Sequence, residues 1–78
     1  MAQIDIADFK KAAQSRNQIH QPVKTTYFFF RRDGEEYFQL NTFGSPHREF
    51  GKIPSQKIQL DRKAAKALVE ILQKGFGL

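Results

Sequence analysis

A β-hairpin in the middle of the chain constrains the fold more than any other feature of the sequence. Residues 23–32 are rich in β-branched and aromatic side chains, Asp-Gly follows at 33–34, and residues 35–43 form a second stretch of this kind. Asp-Gly favours the two-residue type I′ turn, in which both central residues need a positive φ. Such a turn places Arg32 opposite Glu35 and determines every pair further along the two strands.

A third short strand is expected after a long loop. Residues 44–55 contain glycine and proline at both ends together with His47, Arg48 and Lys52, and loops of this length are usually functional or disordered. Residues 56–60 then alternate between apolar and polar side chains, as a half-buried strand does. We expect the apolar face of the sheet to form the core with these residues: Tyr27, Phe29, Phe38, Leu40, Ile58 and Leu60.

The opposite face of this sheet, called the mixed face here, combines aromatic, basic and amide side chains. Its members follow from the period of two along each strand. They are Lys24, Thr26, Phe28, Phe30, Arg32, Tyr37, Gln39, Asn41, Phe43, Lys57 and Gln59.

An amphipathic helix closes the chain. Asp61 is well placed as its N-cap, and the helix is expected to run from Arg62 to about Lys74. Gly75 is expected to end it with a left-handed cap, after which Phe76 folds back. The predicted class is α+β: a small antiparallel sheet of three to four strands with the C-terminal helix packed on one face, in a protein expected to dimerise.

The N-terminal segment, residues 1–21, does not predict a single structure. A weakly amphipathic stretch at 5–13 favours a short helix, whereas the alternation at 4–6 would suit a fourth strand, and disorder is a third possibility. Pro22 disfavours helix at the residue before it and marks the start of the main domain, residues 22–78.

The composition narrows the classes of function. The 78 residues include 13 Lys and Arg against 8 Asp and Glu, a formal net charge of +5, which favours a polyanionic partner. The absence of Cys excludes disulfides and thiolate metal sites, and His20 lies too far from His47 to suggest zinc. No apolar run approaches the roughly 20 residues of a membrane span. We therefore expect a cytoplasmic protein, nucleoid-associated if bacterial, that binds neither metal nor membrane.

Catalysis has little support in the sequence. Ser45, His47 and Glu49 alternate within one loop, which is not the convergent geometry of a nucleophile, a base and an orienting acid. The glycines do not form a phosphate-binding loop motif. We expect a protein that is not an enzyme and has no cofactor.

The mixed face has the composition of a platform for single-stranded nucleic acid. Aromatic rings stack on unpaired bases, Lys and Arg neutralise phosphates, and Asn and Gln can bond to base edges. The competing interpretation is that Phe28 and Phe30 are buried under the N-terminal segment or in a dimer interface. The two interpretations are compatible if Tyr37 and Phe43 remain accessible.

The sequence Phe-Gln-Leu-Asn-Thr-Phe-Gly-Ser-Pro-His-Arg-Glu-Phe-Gly-Lys at 38–52, followed by Ile-Gln-Leu-Asp at 58–61 and a helix, resembles the transcriptional positive cofactor four family and its short bacterial relatives. The resemblance implies a homodimer that binds single-stranded DNA or melted duplex. It implies these binding residues: Phe43, Arg48, Lys52 and Lys57, with Gln39 and Asn41 beside them. The chain departs from the family by inserting residues 53–55 before the last strand.

These observations predict a non-enzymatic, homodimeric protein that binds single-stranded DNA or RNA, with a role such as a transcription cofactor. The predicted binding residues are Lys24, Phe28, Phe30, Tyr37, Gln39, Asn41, Phe43, Arg48, Lys52 and Lys57. Two alternatives use the same face. One is a three-stranded sheet of the integrase type that enters the major groove of duplex DNA, and the other is a protein-interaction module or inhibitor.

Overall fold

The predicted hairpin is present in the computed structural model, which describes residues 1–14, 16–44 and 53–78. Strand β2 (Lys24–Arg32) pairs antiparallel with strand β3 (Glu35–Phe43), and Arg32 lies opposite Glu35 as expected. Asp33 and Gly34 have φ values of 53° and 79°, as the type I′ turn requires. The register predicted from the turn is confirmed along the whole hairpin.

The sheet has four strands, and it is mixed. Strand β4 (Gln56–Asp61) pairs antiparallel with β3, and the two-residue strand β1 (Ala2–Gln3) pairs with β4 in parallel, giving the order β1-β4-β3-β2. The expected α+β class and helix-covered sheet are confirmed, but the first strand is not antiparallel. The reason is that the chain between β1 and its partner β4 is long and includes the whole hairpin, so no tight turn dictates the relative direction of these two strands.

Helix α1 (Arg62–Phe76) begins as predicted and ends two residues later than predicted. The carboxylate of Asp61 accepts a hydrogen bond from the backbone N–H of Ala64 at 2.8 Å, which is an N-cap contact. Gly77 rather than Gly75 adopts the left-handed conformation, with φ 70°, and its N–H bonds to the carbonyl of Gln73. Phe76 is 75% exposed, which shows that it does not fold back onto the helix as predicted.

The core lies between α1 and the part of the sheet formed by β3 and β4. In the described ranges, the buried apolar residues are Leu60 on β4 and Ala64 on α1, which are 4% and 0% exposed. Phe38, Leu40 and Ile58 are half-buried around them. The prediction is therefore correct for the center of the core, but the buried part of this core is small.

The outer strand β2 is not covered by the helix. Among the described residues, α1 contacts β3, β4 and the N-terminal 3₁₀ turn but not β2. The prediction that Tyr27 and Phe29 belong to the core is wrong within one chain, because Phe29 is 73% exposed and Tyr27 is also exposed. One helix is too narrow to cover the outermost strand of the sheet as well as the two beside it.

The N-terminal segment, for which the sequence predicts no single structure, contains the short strand β1 and one helical turn. The strand lies at residues 2–3 and not at the alternating residues 4–6. After β1, a 3₁₀ turn (Ile6–Asp8) packs against α1, and Asp5 caps it by accepting a hydrogen bond from the N–H of Ala7 at 2.9 Å. The residues from 9 to 23 that the structure describes have no regular secondary structure. Over the described chain, no helix has the length and apolarity needed to cross a membrane.

Candidate nucleic-acid interface

The strand register brings the predicted residues of the mixed face into rows across the sheet. Phe28 lies opposite Gln39, and Gln39 lies opposite Gln59. Phe30 lies opposite Tyr37 in the row nearer the hairpin turn. Towards the other end, the rows are Thr26, Asn41 and Lys57, and then Lys24 and Phe43. The eight predicted residues that the structure describes therefore form one continuous surface.

Two of the ten predicted binding residues, Arg48 and Lys52, lie outside the described residues. The ends of the connection that contains them are joined by hydrogen bonds. Ser55 donates from its backbone N–H to the carbonyl of Thr42 at 2.7 Å, and the N–H of Gly44 donates to Ser55 Oγ at 2.7 Å. These contacts attach both ends of the connection beside Phe43, the last residue of β3.

A chain of three amide side chains forms the center of the mixed face. Gln59 donates from Nε2 to Oε1 of Gln39 at 2.9 Å, and Gln39 donates from Nε2 to Oδ1 of Asn41 at 2.7 Å. Gln39 is 8% exposed and is the buried polar residue of the described chain. Because a buried amide is costly without partners, Gln39 keeps both hydrogen bonds, and these bonds orient the half-buried side chains of Asn41 and Gln59. Asn41 Nδ2 and Gln59 Oε1 make no hydrogen bond with described residues.

Aromatic rings line the mixed face next to these amides. The rings of Phe30 and Tyr37 stack, with centroids 5.2 Å apart and planes 19° from parallel. Phe28 lies 5.8 Å from Phe30 in a tilted arrangement and is 43% exposed. Burial of Phe28 under the N-terminal segment, one of the two expectations, is therefore wrong within the chain.

An open groove of about 470 Å³ runs along the aromatic rings and the amides. It is lined by Gln3, Phe28, Phe30, Arg32, Asp33, Glu35, Tyr37, Gln39 and Gln59. The groove thus combines apolar ring faces, neutral amides and charged groups at the hairpin turn. This combination suits a flat heteroaromatic ligand that also forms hydrogen bonds.

The end of the mixed face away from the hairpin turn is basic. Lys24 Nζ lies 5.3 Å from the centroid of the Phe43 ring, at the distance of a cation–π contact. Lys57 lies opposite Asn41 on the neighbouring strand and is half-buried. Partly buried stems leave the ammonium groups of such lysines at the surface, where they can meet phosphates.

Sequence reasoning missed Gln3, Asp33 and Glu35 as groove residues. Gln3 reaches the groove because β1 pairs with β4 and places it opposite Gln59. A two-residue strand carries no periodic signal, so no local pattern could have indicated this pairing. Glu35 was detectable, because it is two residues from Tyr37 on the same strand and therefore faces the same side.

Comparison with known proteins provides no relative for this chain. No protein-family model, no curated protein and no solved structure matches it. In the described ranges, no group of three His, Cys, Asp or Glu side chains is placed to hold a metal ion. The chemistry of the mixed face is therefore the basis for assigning a function.

Proposed function

We propose that the protein is a non-enzymatic binder of single-stranded DNA or RNA that uses the mixed face. The observation that carries this proposal is the presence of partly exposed aromatic rings, hydrogen-bonding amides and lysines on one surface. Stacking on an aromatic side chain stabilises a bound base by about 1–3 kcal/mol, and any base can stack. The resemblance to the transcriptional positive cofactor four family agrees with this function.

Each part of the mixed face has a separate role in this proposal. Phe28, Phe30 and Tyr37 supply ring faces for unpaired bases, while Asn41 and Gln59 offer hydrogen bonds to base edges. Lys24 and Lys57 neutralise phosphates at the basic end, and Phe43 stacks beside Lys24. Arg48 and Lys52 are proposed as further phosphate ligands from the sequence.

Unpaired strands suit this surface better than a duplex. In a duplex the faces of the bases are stacked on one another, so aromatic side chains reach them only if the duplex is opened. The rings on the mixed face belong to long, paired strands and line a groove instead of projecting as wedges. The integrase-like alternative would leave these ring faces without a role.

We also propose that a second copy of this chain covers the opposite, apolar surface. On that side, Tyr27 and Phe29 of the edge strand are exposed, and the second half of the helix exposes Val69, Ile71 and Leu72. Leu60 and Ala64 are the buried apolar residues in the described part of the chain, which is a small core. Small domains commonly gain the missing burial by association. A homodimer would leave the mixed faces of both copies free. We expect it to act in the cytoplasm, at the nucleoid if bacterial, as a cofactor of transcription or of another DNA transaction.

Fluorescence anisotropy tests the nucleic-acid proposal directly. A labelled d(T) strand of about 16 nucleotides, within the site sizes of single-strand binders, would be titrated at two salt concentrations with a duplex of equal length as competitor. We expect binding of the d(T) strand to weaken as salt rises. The duplex should be a poor competitor for the same site. Better competition by the duplex would support the integrase-like alternative. No binding at low salt would contradict the proposal and favour a protein partner for the mixed face.

A ring substitution identifies the binding surface. Phe28→Leu retains an apolar side chain but removes the stacking surface, so we expect about tenfold weaker binding of the d(T) strand. Phe76→Leu, at an exposed position on the last turn of α1, is the matched control and should bind normally. Equal affinities of the two variants would exclude Phe28 from the interface.

A further inference from the structure

We propose that the hairpin end of the mixed face selects guanine among the bases of a bound strand, through the carboxylate of Glu35. This inference rests on the proposed single-strand binding and adds a base preference to it. The groove beside Phe30 and Tyr37 is lined by these rings and by the amides of Gln39 and Gln59. The carboxylates of Asp33 and Glu35 line it at the hairpin turn. Any base can stack there, so the carboxylate decides which base edge is preferred.

The two glutamates after the turn differ in position although they are neighbours in sequence. Glu36 Oε1 lies 3.2 Å from Arg62 Nη1, on the side of the sheet that carries the helix. Glu35 lies on the mixed face, lines the groove with Tyr37 and is exposed. Within the described residues, no Lys, Arg or His lies within ion-pair distance of Glu35. As far as the described part of the chain is concerned, its two oxygens are therefore open to a ligand in the groove.

Guanine is the base whose edge complements a carboxylate. An ionised carboxylate only accepts hydrogen bonds, and its two oxygens fit two donors placed side by side. Guanine presents N1–H and the N2 amino group next to each other. Thymine has a single ring N–H between two carbonyl oxygens, which a carboxylate repels, and adenine and cytosine each offer only one amino group on this edge.

The charges around Glu35 make a bound phosphate backbone compatible with this carboxylate. Arg32 lies opposite Glu35 on the mixed face and lines the same groove. The lysines that we assign to phosphates are at the other end, since Lys57 is opposite Asn41. Asn41 and Glu35 are six residues apart on β3, a separation of about 20 Å along a strand. A strand lying along the face therefore meets the two lysines at one end and, at the other, Glu35 with Arg32 opposite it.

Inosine provides the matched ligand, because its base is guanine without the N2 amino group. Alternating d(GT) and d(IT) strands and a d(T) strand, each of about 16 nucleotides, would be titrated by anisotropy in lithium buffer, which suppresses guanine quadruplexes. We expect d(GT) to bind about tenfold more tightly than d(IT), as for one charge-assisted hydrogen bond. Glu35→Gln should reduce this ratio to near one. Glu36→Gln makes the same change of charge outside the groove and should preserve the wild-type ratio of d(GT) to d(IT) affinity.

The outcomes separate this inference from the proposed function. If none of the three strands binds at low salt, single-strand binding itself fails and the inference fails with it. If the d(T) strand binds but the wild-type ratio of d(GT) to d(IT) affinity is near one, guanine selection is overturned while single-strand binding stands. Guanine selection that persists in Glu35→Gln would likewise overturn the role of this carboxylate. Binding of the d(T) strand by each variant shows that the variant is folded.

Discussion

Gln59 donates a hydrogen bond to the side-chain oxygen of Gln39 across strands β4 and β3, over 2.9 Å. Gln39 in turn orients Asn41, so the three amides are positioned before any ligand binds. Groups fixed in this way lose little side-chain freedom on binding, which favours affinity.

Replacement of Gln39 should affect binding more than stability. Gln39→Leu replaces the amide with an apolar side chain of similar size and releases Asn41 and Gln59, which are half-buried and can turn to water. We expect single-strand affinity to fall by about tenfold and the free energy of unfolding to change by less than about 1 kcal/mol. Anisotropy and urea unfolding measure the two quantities. Gln73→Leu, on an exposed position of α1, should leave affinity unchanged.

Removal of the lysines at the basic end should reduce the salt dependence of binding. Each phosphate neutralised on a single strand contributes roughly 0.7 to the slope of log affinity against log salt. The double variant Lys24→Ala with Lys57→Ala should therefore lower the slope by about 1.4. Lys63→Ala with Lys66→Ala removes the same charge from exposed helix positions. Equal slopes for the two double variants would contradict the assigned phosphate sites.

If the protein is a homodimer, a charge placed on its apolar surface should lower its molar mass in solution from that of a dimer to that of a monomer. Leu72→Glu places a charge among exposed apolar side chains of α1, and burying a charge without a partner is strongly unfavourable. We expect light scattering after size exclusion to show a dimer for the wild type and a monomer for this variant. Gln73→Glu adds the same charge at the next residue and should remain dimeric. A monomeric wild type at high concentration would contradict the proposal.

The cap of α1 should contribute measurably to stability. Asp61→Ala removes the acceptor for the Ala64 N–H, and loss of such a cap costs about 1 kcal/mol. Asp61→Asn keeps a side-chain oxygen at the cap and should retain most of the stability. Urea unfolding of the two variants gives the difference. Equal loss in both would show that the contribution is not hydrogen bonding at the cap.

Replacement of Gly34 and of Gly75 by alanine should change the stability of the protein in opposite directions. Gly34 has φ 79°, which alanine adopts only with strain, so Gly34→Ala should destabilise the protein by about 1 kcal/mol. Gly75 lies inside α1 with open space around its Cα, so Gly75→Ala should stabilise it by about 0.5–1 kcal/mol. Thermal unfolding measures both shifts. Stabilisation by Gly34→Ala would argue against the type I′ turn.

The sequence by itself determined the elements that depend on neighbouring residues. The Asp-Gly turn at 33–34 requires positive φ at both positions, and this local requirement predicts which residues of β2 and β3 face each other. The period of two then assigns Phe30, Tyr37 and Gln39 to one face of the sheet. The Asp61 cap likewise follows from a side chain and an N–H three residues away.

Only the tertiary structure decided how the elements cover one another. The parallel pairing of β1 with β4 brings Gln3 to the groove across more than fifty residues of sequence, which no local pattern encodes. The position of α1 over β3 and β4 leaves Phe29 exposed, although its alternation is that of a core residue. The burial of a residue depends on which surfaces meet, and therefore on contacts between distant parts of the chain. Turns and caps, in contrast, are set by the conformations of a few adjacent residues.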